Sequence, residues 1–273
     1  LYLLLRTLQT LNHRHLGNIV IHVVVEEENG GNGSLAMIRN GETADGCVVL
    51  EPSGGRTVFT SIRGAVWYRI TFHGKAGHSG TPGTNRSAIL MARDAMQIME
   101  QYHTDLLDKS KGLRFFDQYP NPMPLTFGRL ISGNWPAIAP DRAILEGVLG
   151  FLPNKNKEDI CTEIRQSLLN TFESEDFDLH FMYRHDCSVI DPNHPLPQTL
   201  LRAGKEMGTD LQVGAMTASC DAWFYQNILK IPTVVFGAGS LRWAHTAHEQ
   251  IALQELAEAA TILTRFSDLY FAF

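Results

Sequence analysis

Cysteine is scarce and scattered in this chain. Its four thiols, Cys47, Cys161, Cys187 and Cys220, include no CxxC pair, which argues against a disulfide-stapled scaffold and a thiolate zinc cluster and fits a reducing, cytoplasmic setting. Long apolar runs are lacking too. Nothing approaches the roughly 20 residues of a membrane-spanning helix, and the opening Leu1–Leu11 is broken by Arg6, Thr7 and Gln9. That opening has no initiator Met and reads as the middle or end of an amphipathic helix, so the chain is expected to begin inside a domain. Charge of one sign is missing as well: 23 basic and 29 acidic residues leave a net −6 with no long run of either. Neither nucleic acid nor an anionic membrane finds an electrostatic footprint, and a small-molecule partner is expected.

What is present is an ordinary globular composition, 44% apolar and 19% charged over 273 residues, enough for one large or two smaller domains. Asn18–Val25 (NIVIHVVV) reads as a strand buried on both faces of a parallel sheet, ending at Glu26, Glu27 and Glu28. Gly30–Asn40 reads as a Gly loop opening a short helix, and Cys47–Leu50 as a second buried strand running into Glu51 and Pro52. The same grammar returns late: Asp221–Leu229 helical, Pro232–Phe236 a strand, a turn at Gly237–Ser240, and Ala252–Leu269 a closing helix. Between them the texture differs. Strands are expected at Val66–Phe72, Pro124–Ile131, Ala143–Phe151 and Asp178–Tyr183, with helices at Ser87–Tyr102 and Ile160–Phe172. Together they spell β-α-β-β-α-β, a ferredoxin-like pattern. The expected fold class is therefore α/β: a parallel-rich sheet flanked by helices, residues 1–63 and 185–273, with an inserted ferredoxin-like domain, residues 64–184.

In open parallel sheets ligands gather beyond the carboxyl ends of the strands. Val25 runs into three glutamates, Leu50 into Glu51, and Phe236 leads through a Gly turn to His245. Carboxylates with an imidazole suit a borderline ion such as zinc, and a Glu left free of the metal can act as base to its bound water. Acidic clusters after strands also serve as solvated loops or as charges at helix N-termini, so spacing by itself leaves both readings open. Other histidines have simpler roles: His22 a hydrogen-bonded core residue, His13 and His15 a surface pair, His73 and His185 candidates near a cleft. Gly237 and Gly239 follow a strand but open no helix with Lys and Ser or Thr behind, so they read as a turn rather than a phosphate loop.

Several segments, in order, resemble the zinc-dependent acetylornithine deacetylase, succinyl-diaminopimelate desuccinylase, aminoacylase and carboxypeptidase family. VVVEEENGGNGSL at 23–35 is similar to its DEExGxxGs segment, VVLEPSGG to its next metal carboxylate, and AHTAHEQI to its terminal AHxxxE segment. GKAGHSGTP is similar to its lid segment, and SCDAWFYQNILKIPTVVFGAG, with Asp221, to the approach to the terminal His. The resemblance implies an amide-bond hydrolase, most like an N-acyl amino acid deacylase, with a dipeptidase or carboxypeptidase as the alternative. It implies Glu27 as general base, Glu28, Glu51 and His245 as zinc ligands divided between two Zn2+ ions, and cobalt or manganese as other metals the site would take. It also implies that His78 on the lid polarises the scissile carbonyl, typically across a homodimer formed through the lid. His248 falls on a variable position, while Glu249 matches the acid of its segment and would cap the closing helix.

There are departures. The family's upstream HxD and second Asp segments are not in this sequence, which implies two open coordination shells and a metal-poor chain of little activity. The family's lid Asn aligns near Ala137 and its substrate-binding Arg near Gly150, which leaves the substrate open. A rival from another class follows: a catalytically incomplete dimerisation or binding module.

Overall fold

The computed structural model describes residues 7, 9, 17–81 and 83–272. Most of the expected opening helix, with His13 and His15, lies outside the described residues, as does Pro82 of the GKAGHSGTP segment. The chain divides into two compact units, residues 1–62 with 188–273, and residues 63–187.

In the first unit a single 3₁₀ turn, Glu27–Asn29, leads into helix Asn32–Arg39 and strand β1, Cys47–Val49. β2 is Thr57–Ile62; β3 to β8 belong to the second unit; β9, β10 and β11 are Ser188–Val189, Gln212–Met216 and Thr233–Val235. The sheet runs β1-β11-β2-β10, with β9 also on β2. It is mixed: β1 with β11 and β2 with β10 are parallel, whereas β2 is antiparallel to β11 and β9. Uninterrupted apolar strands report burial on two faces, and that condition does not specify direction. Alternation decides which side chain faces which layer. Val58, Val234 and Phe236 pack against helices Pro195–Glu206 and Leu253–Tyr270 through Leu196, Leu200, Ile262 and Phe266, while Phe59 and Val235 meet Met216, Cys220 and Ala222 in a second cluster.

Asn18–Val25 is not a strand. Among the described residues it joins no ladder, and Val23 and Val25 are open, at 69% and 73% exposure, while Ile21, His22 and Val24 are half-buried. β1 ends the sheet order, and no strand among the described residues lies beyond it. An apolar run becomes a strand only where a neighbour takes its N–H and C=O groups. Asp221–Leu229 also differs from expectation: after a turn, Phe224–Ile228 winds as a π-helix closed by a Leu229 N–H to Phe224 carbonyl bond of 3.3 Å. The wider turn keeps Phe224 and Tyr225 both buried against Ile38 and Leu35 of the short helix.

The second unit carries β3, Gly64–His73; β4, Gly77–His78; β5, Leu125–Ser132; β6, Ile138–Ala139; β7, Arg142–Phe151; and β8, Phe177–His185. Helix Ala88–Lys109 connects β4 toward β5, and Lys157–Leu169 connects β7 toward β8. The four long strands form an antiparallel sheet ordered β5-β7-β3-β8, while β4 pairs with β6. Tyr68, Ile70 and Phe72 of β3 and Leu145 and Leu149 of β7 are fully buried, as are Ala92, Ala95 and Met99 of the first helix and Ile160, Ile164 and Leu168 of the second. Arg69 and Glu146 pair on the opposite face of the sheet at 2.6 Å, which is the pattern of an antiparallel sheet with one covered and one wet face.

Candidate active site

The site begins in the first unit with an awkward stretch of backbone. Glu26 sits in the left-handed region at φ 61°, and Gly30 and Gly31 follow at φ 107° and 72°. Carbonyls of Glu26 and Glu27 accept from the amides of Asn29, Gly30 and Gly31, so the turn is closed by its own backbone before the helix starts. Left-handed geometry in a non-glycine residue costs of the order of 1–2 kcal/mol and persists only where the surroundings hold it. His245 is a second case, at φ 59°. It lies on the loop after β11, where its N–H donates to the Glu249 carboxylate at 3.2 Å.

These two strained turns meet. His245 Nε2 lies 2.8 Å from Glu28 Oε1, across 217 residues. Both side chains are mostly exposed, and an exposed pair contributes only about 0–1 kcal/mol. The loops, then, bring the pair together rather than the reverse. The hydrogen bond to Glu28 and its charge hold the His245 imidazole proton more tightly than usual.

Behind the pair the charge is all negative. Burial, with the carboxylates of Glu51, Asp221 and Glu28 close by, raises Glu27 to about 7. Burial raises Glu51 also, with Asp221 and Glu28 adding to it. Asp221 is raised by burial, although Ser34 Oγ donates to its Oδ2 at 2.6 Å and offsets part of the effect. Glu27, Glu51, Ser34 and Asp221 line one side of a cleft of about 930 Å³ in this unit, whose remaining wall is largely apolar. A carboxyl near neutral pH at the edge of a cleft is suited to taking and returning a proton.

Glu51 is aimed by a backbone clamp. Gly237 accepts from the amides of Ser53 and Gly55, at 3.1 and 2.9 Å, and Ser53 Oγ spans the same join. Glu255, in the first turn of the closing helix, accepts from the Gly239 amide at 3.0 Å. Glu249 therefore does not cap that helix: its carboxylate is turned to the His245 amide, and the helix begins at Leu253 without a side-chain cap. His248 is exposed.

The donor types suit zinc, but a full set does not form. Among the described residues no three His, Cys, Asp or Glu side chains come together as a metal-holding group; Glu28 and His245 come together as a pair. None of the four thiols is in a disulfide, and burial raises Cys47 and Cys187 to about 12 and Cys220 well above the ordinary thiol value.

Other sequence candidates resolve separately. His78, in the second unit, is exposed on β4, and its Nδ1 accepts from the Gly80 amide at 3.0 Å. His73 Nε2 pairs with Asp178 at 2.7 Å on the sheet surface. His185 is buried with its Nδ1 against the Tyr183 hydroxyl. His22 Nδ1 meets the Tyr225 hydroxyl at 2.9 Å, and its buried Nε2 has no hydrogen-bond partner among the described residues. Position 150 has no room for a side chain, because a Cβ there would lie 2.8 Å from Arg63 Nη1 and 3.0 Å from the Met123 backbone. Ser34 was not singled out in the sequence; Asp221 was, through the resemblance of its segment but without a role, and the two lie 187 residues apart.

Residues 1–268 match peptidase family M20/M25/M40. The chain belongs to that family. Among M20/M25/M40 relatives it is 24% identical over 254 residues to a [LysW]-lysine/[LysW]-ornithine hydrolase assigned to Aeropyrum pernix, covering 89% of this chain and 62% of that one. It is 23% identical to an acetylornithine deacetylase of Pasteurella multocida, covering 90% and 62%. The chain thus spans about three-fifths of the length of those two relatives. A metallo-carboxypeptidase of the family from Sulfolobus solfataricus superposes with a TM-score of 0.68 at 16% identity, covering 91% and 69%; that likeness shows the fold. No helix among the described residues is long and apolar enough to cross a membrane.

Proposed function

We propose that this M20/M25/M40 chain serves a metal-dependent amide hydrolase, an N-acyl amino acid deacylase resembling acetylornithine deacetylase. Glu27 is the general base, and Glu28, Glu51 and His245 are ligands of zinc. The observation that carries the reading is the meeting of Glu28 with His245 beside a carboxyl, Glu27, raised to about 7. In the reaction Glu27 takes a proton from the attacking water and returns it to the departing amine, while the Glu51 carboxylate keeps local charge negative. Zinc, when bound, would supply polarisation of the carbonyl and acidification of the water. A dipeptidase or carboxypeptidase would use the same groups and is the second reading.

Because only two donors touch, zinc on the 273-residue chain is expected to be substoichiometric after dialysis and hydrolysis of N-acetyl amino acids slow. Metal analysis beside a ninhydrin assay checks both. Two tightly held ions with normal turnover would mean the ligands are misassigned, and hydrolysis of dipeptides but not N-acyl amino acids would favour the peptidase reading.

The second unit we read as a lid through which two copies associate, with His78 as the lid's catalytic histidine and a cytoplasmic setting. β5 is an open sheet edge bearing exposed Leu130 and Ile131, with Trp135 and Ile138 exposed just beyond it, and such an edge is a template for pairing. Light scattering at micromolar concentration should give twice the chain mass of 30.5 kDa, and Ile131→Lys should shift the protein to the monomer. A wild-type monomer at that concentration would remove this part of the reading.

A further inference from the structure

Asp221 takes no part in the proposed proton transfer, yet it is among the most buried acids of the first unit, at 4% exposure. One oxygen, Oδ2, accepts from Ser34 Oγ at 2.6 Å. The other, Oδ1, has no hydrogen-bond partner among the described residues and fills the space over Gly31, where an added Cβ would come within 2.2 Å of it. Ser34, only 1% exposed, is the third residue of helix Asn32–Arg39, and its hydroxyl also receives the Tyr225 hydroxyl at 3.4 Å. The helix starts at Gly31 with no side-chain cap. Asp221 thus meets the entry to this helix at two points, its Oδ1 over Gly31 and its Oδ2 on the Ser34 hydroxyl. The chain just before this helix is the strained segment that carries Glu27 and Glu28.

We propose that Asp221 is a positioning residue: with Ser34 it clamps the Glu26–Gly31 turn and so fixes the direction of the Glu27 and Glu28 carboxylates. The proposal rests on the amide-hydrolase reading only for its catalytic consequence, since the clamp itself is a property of the fold. Leaving a buried carboxylate in place with one oxygen unsatisfied costs free energy, and the geometry assigns that cost to holding two left-handed glycines and Glu26 in a conformation the local sequence does not favour. Misplacing a catalytic group by about 1 Å costs on the order of 100-fold in rate.

The test has two independent arms. Hydrogen exchange by mass spectrometry on the 273-residue chain should show amides of residues 27–35 exchanging about tenfold faster in Ser34→Ala and in Asp221→Asn, with β2, β10 and β11 unchanged. Unchanged exchange in that segment overturns the clamp, and so does faster exchange throughout the unit, which would make Asp221 a general core residue. Ser34→Ala removes one hydroxyl and serves if Asp221→Asn fails to fold. In the second arm, at saturating zinc, both variants should lower kcat about 10- to 100-fold with KM within about twofold, and the double variant should be no worse than the poorer single one. A raised KM with kcat intact overturns the positioning role. Should the wild-type protein hydrolyse no amide at all, the functional reading falls while the exchange result still judges the clamp.

Discussion

Glu27→Gln should cost turnover heavily and at the same time make the metal-free protein more stable above neutral pH. A positioned general base contributes about 10²–10⁴-fold, so kcat at saturating zinc is expected to fall by that factor with little change in KM. The stability effect follows from the same burial and the same neighbours. Glutamate ordinarily releases its proton near 4.5, whereas Glu27 in the folded chain keeps it to about 7. Between those values the folded state holds more protons than the unfolded one, so stability falls as pH rises through the window, and the full penalty is present above 7. Glutamine carries no charge and escapes it. Thermal melts in chelator should therefore place Glu27→Gln above wild type at pH 8, with the gap closing towards pH 5. A gap of the same size at both pH values would show that Glu27 ionises freely, and normal turnover in the variant would remove it as the base. Function at the expense of stability is a common property of catalytic carboxyls in crowded acidic sites.

Gly237→Ala is the second large effect. The position lies where β11 passes the end of β1, and an added Cβ would stand 2.5 Å from the Glu51 carbonyl oxygen and 3.1 Å from the Leu50 carbonyl carbon. These are backbone atoms, which cannot swing aside as a flexible side chain would. The strands must part, and with them the bonds that Gly237 makes to Ser53 and Gly55. Overpacking of this kind costs about 1–3 kcal/mol, and here it also shifts Glu51. Urea denaturation should show that loss, accompanied by weaker zinc binding. Gly128→Ala is the contrast: its nearest neighbour would be 3.9 Å away, so it should be near neutral or slightly stabilising. Equal, small effects from the two substitutions would mean that the β1–β11 join is looser than its geometry.

Much of this molecule is legible before folding. The helices at Ala88–Lys109, Lys157–Leu169 and Leu253–Tyr270 and the strands β1, β3, β5, β7, β8 and β11 fall where periodicity and turn residues indicate, because a residue's choice of helix or strand is set largely by the spacing of its apolar neighbours. The clustering of Glu26–Glu28, the lone Glu51 and His245 could be flagged by residue type and by position after apolar strands. Where the reading failed, the missing information was a partner. Residues 18–25 carry the composition of a buried strand, and β-branched composition cannot supply the neighbouring strand that would pair them. The π-helical turn at Phe224–Ile228 reflects the need to bury two aromatic rings against a helix nearly 190 residues earlier in the chain, a demand that no local window contains.

By itself, then, the sequence determined the order of elements, the residues with the chemistry to act as base and ligand, and the kinship expressed in its spaced motifs, since all of these are written in local pattern and residue identity. Only the tertiary structure decided that the first sheet is mixed, that Glu28 and His245 touch while His22 turns to Tyr225, and that Asp221 closes on Ser34. Strand direction and long-range pairing depend on how distant segments share one limited interior, where each buried polar group must find a partner or bear the cost of lacking one.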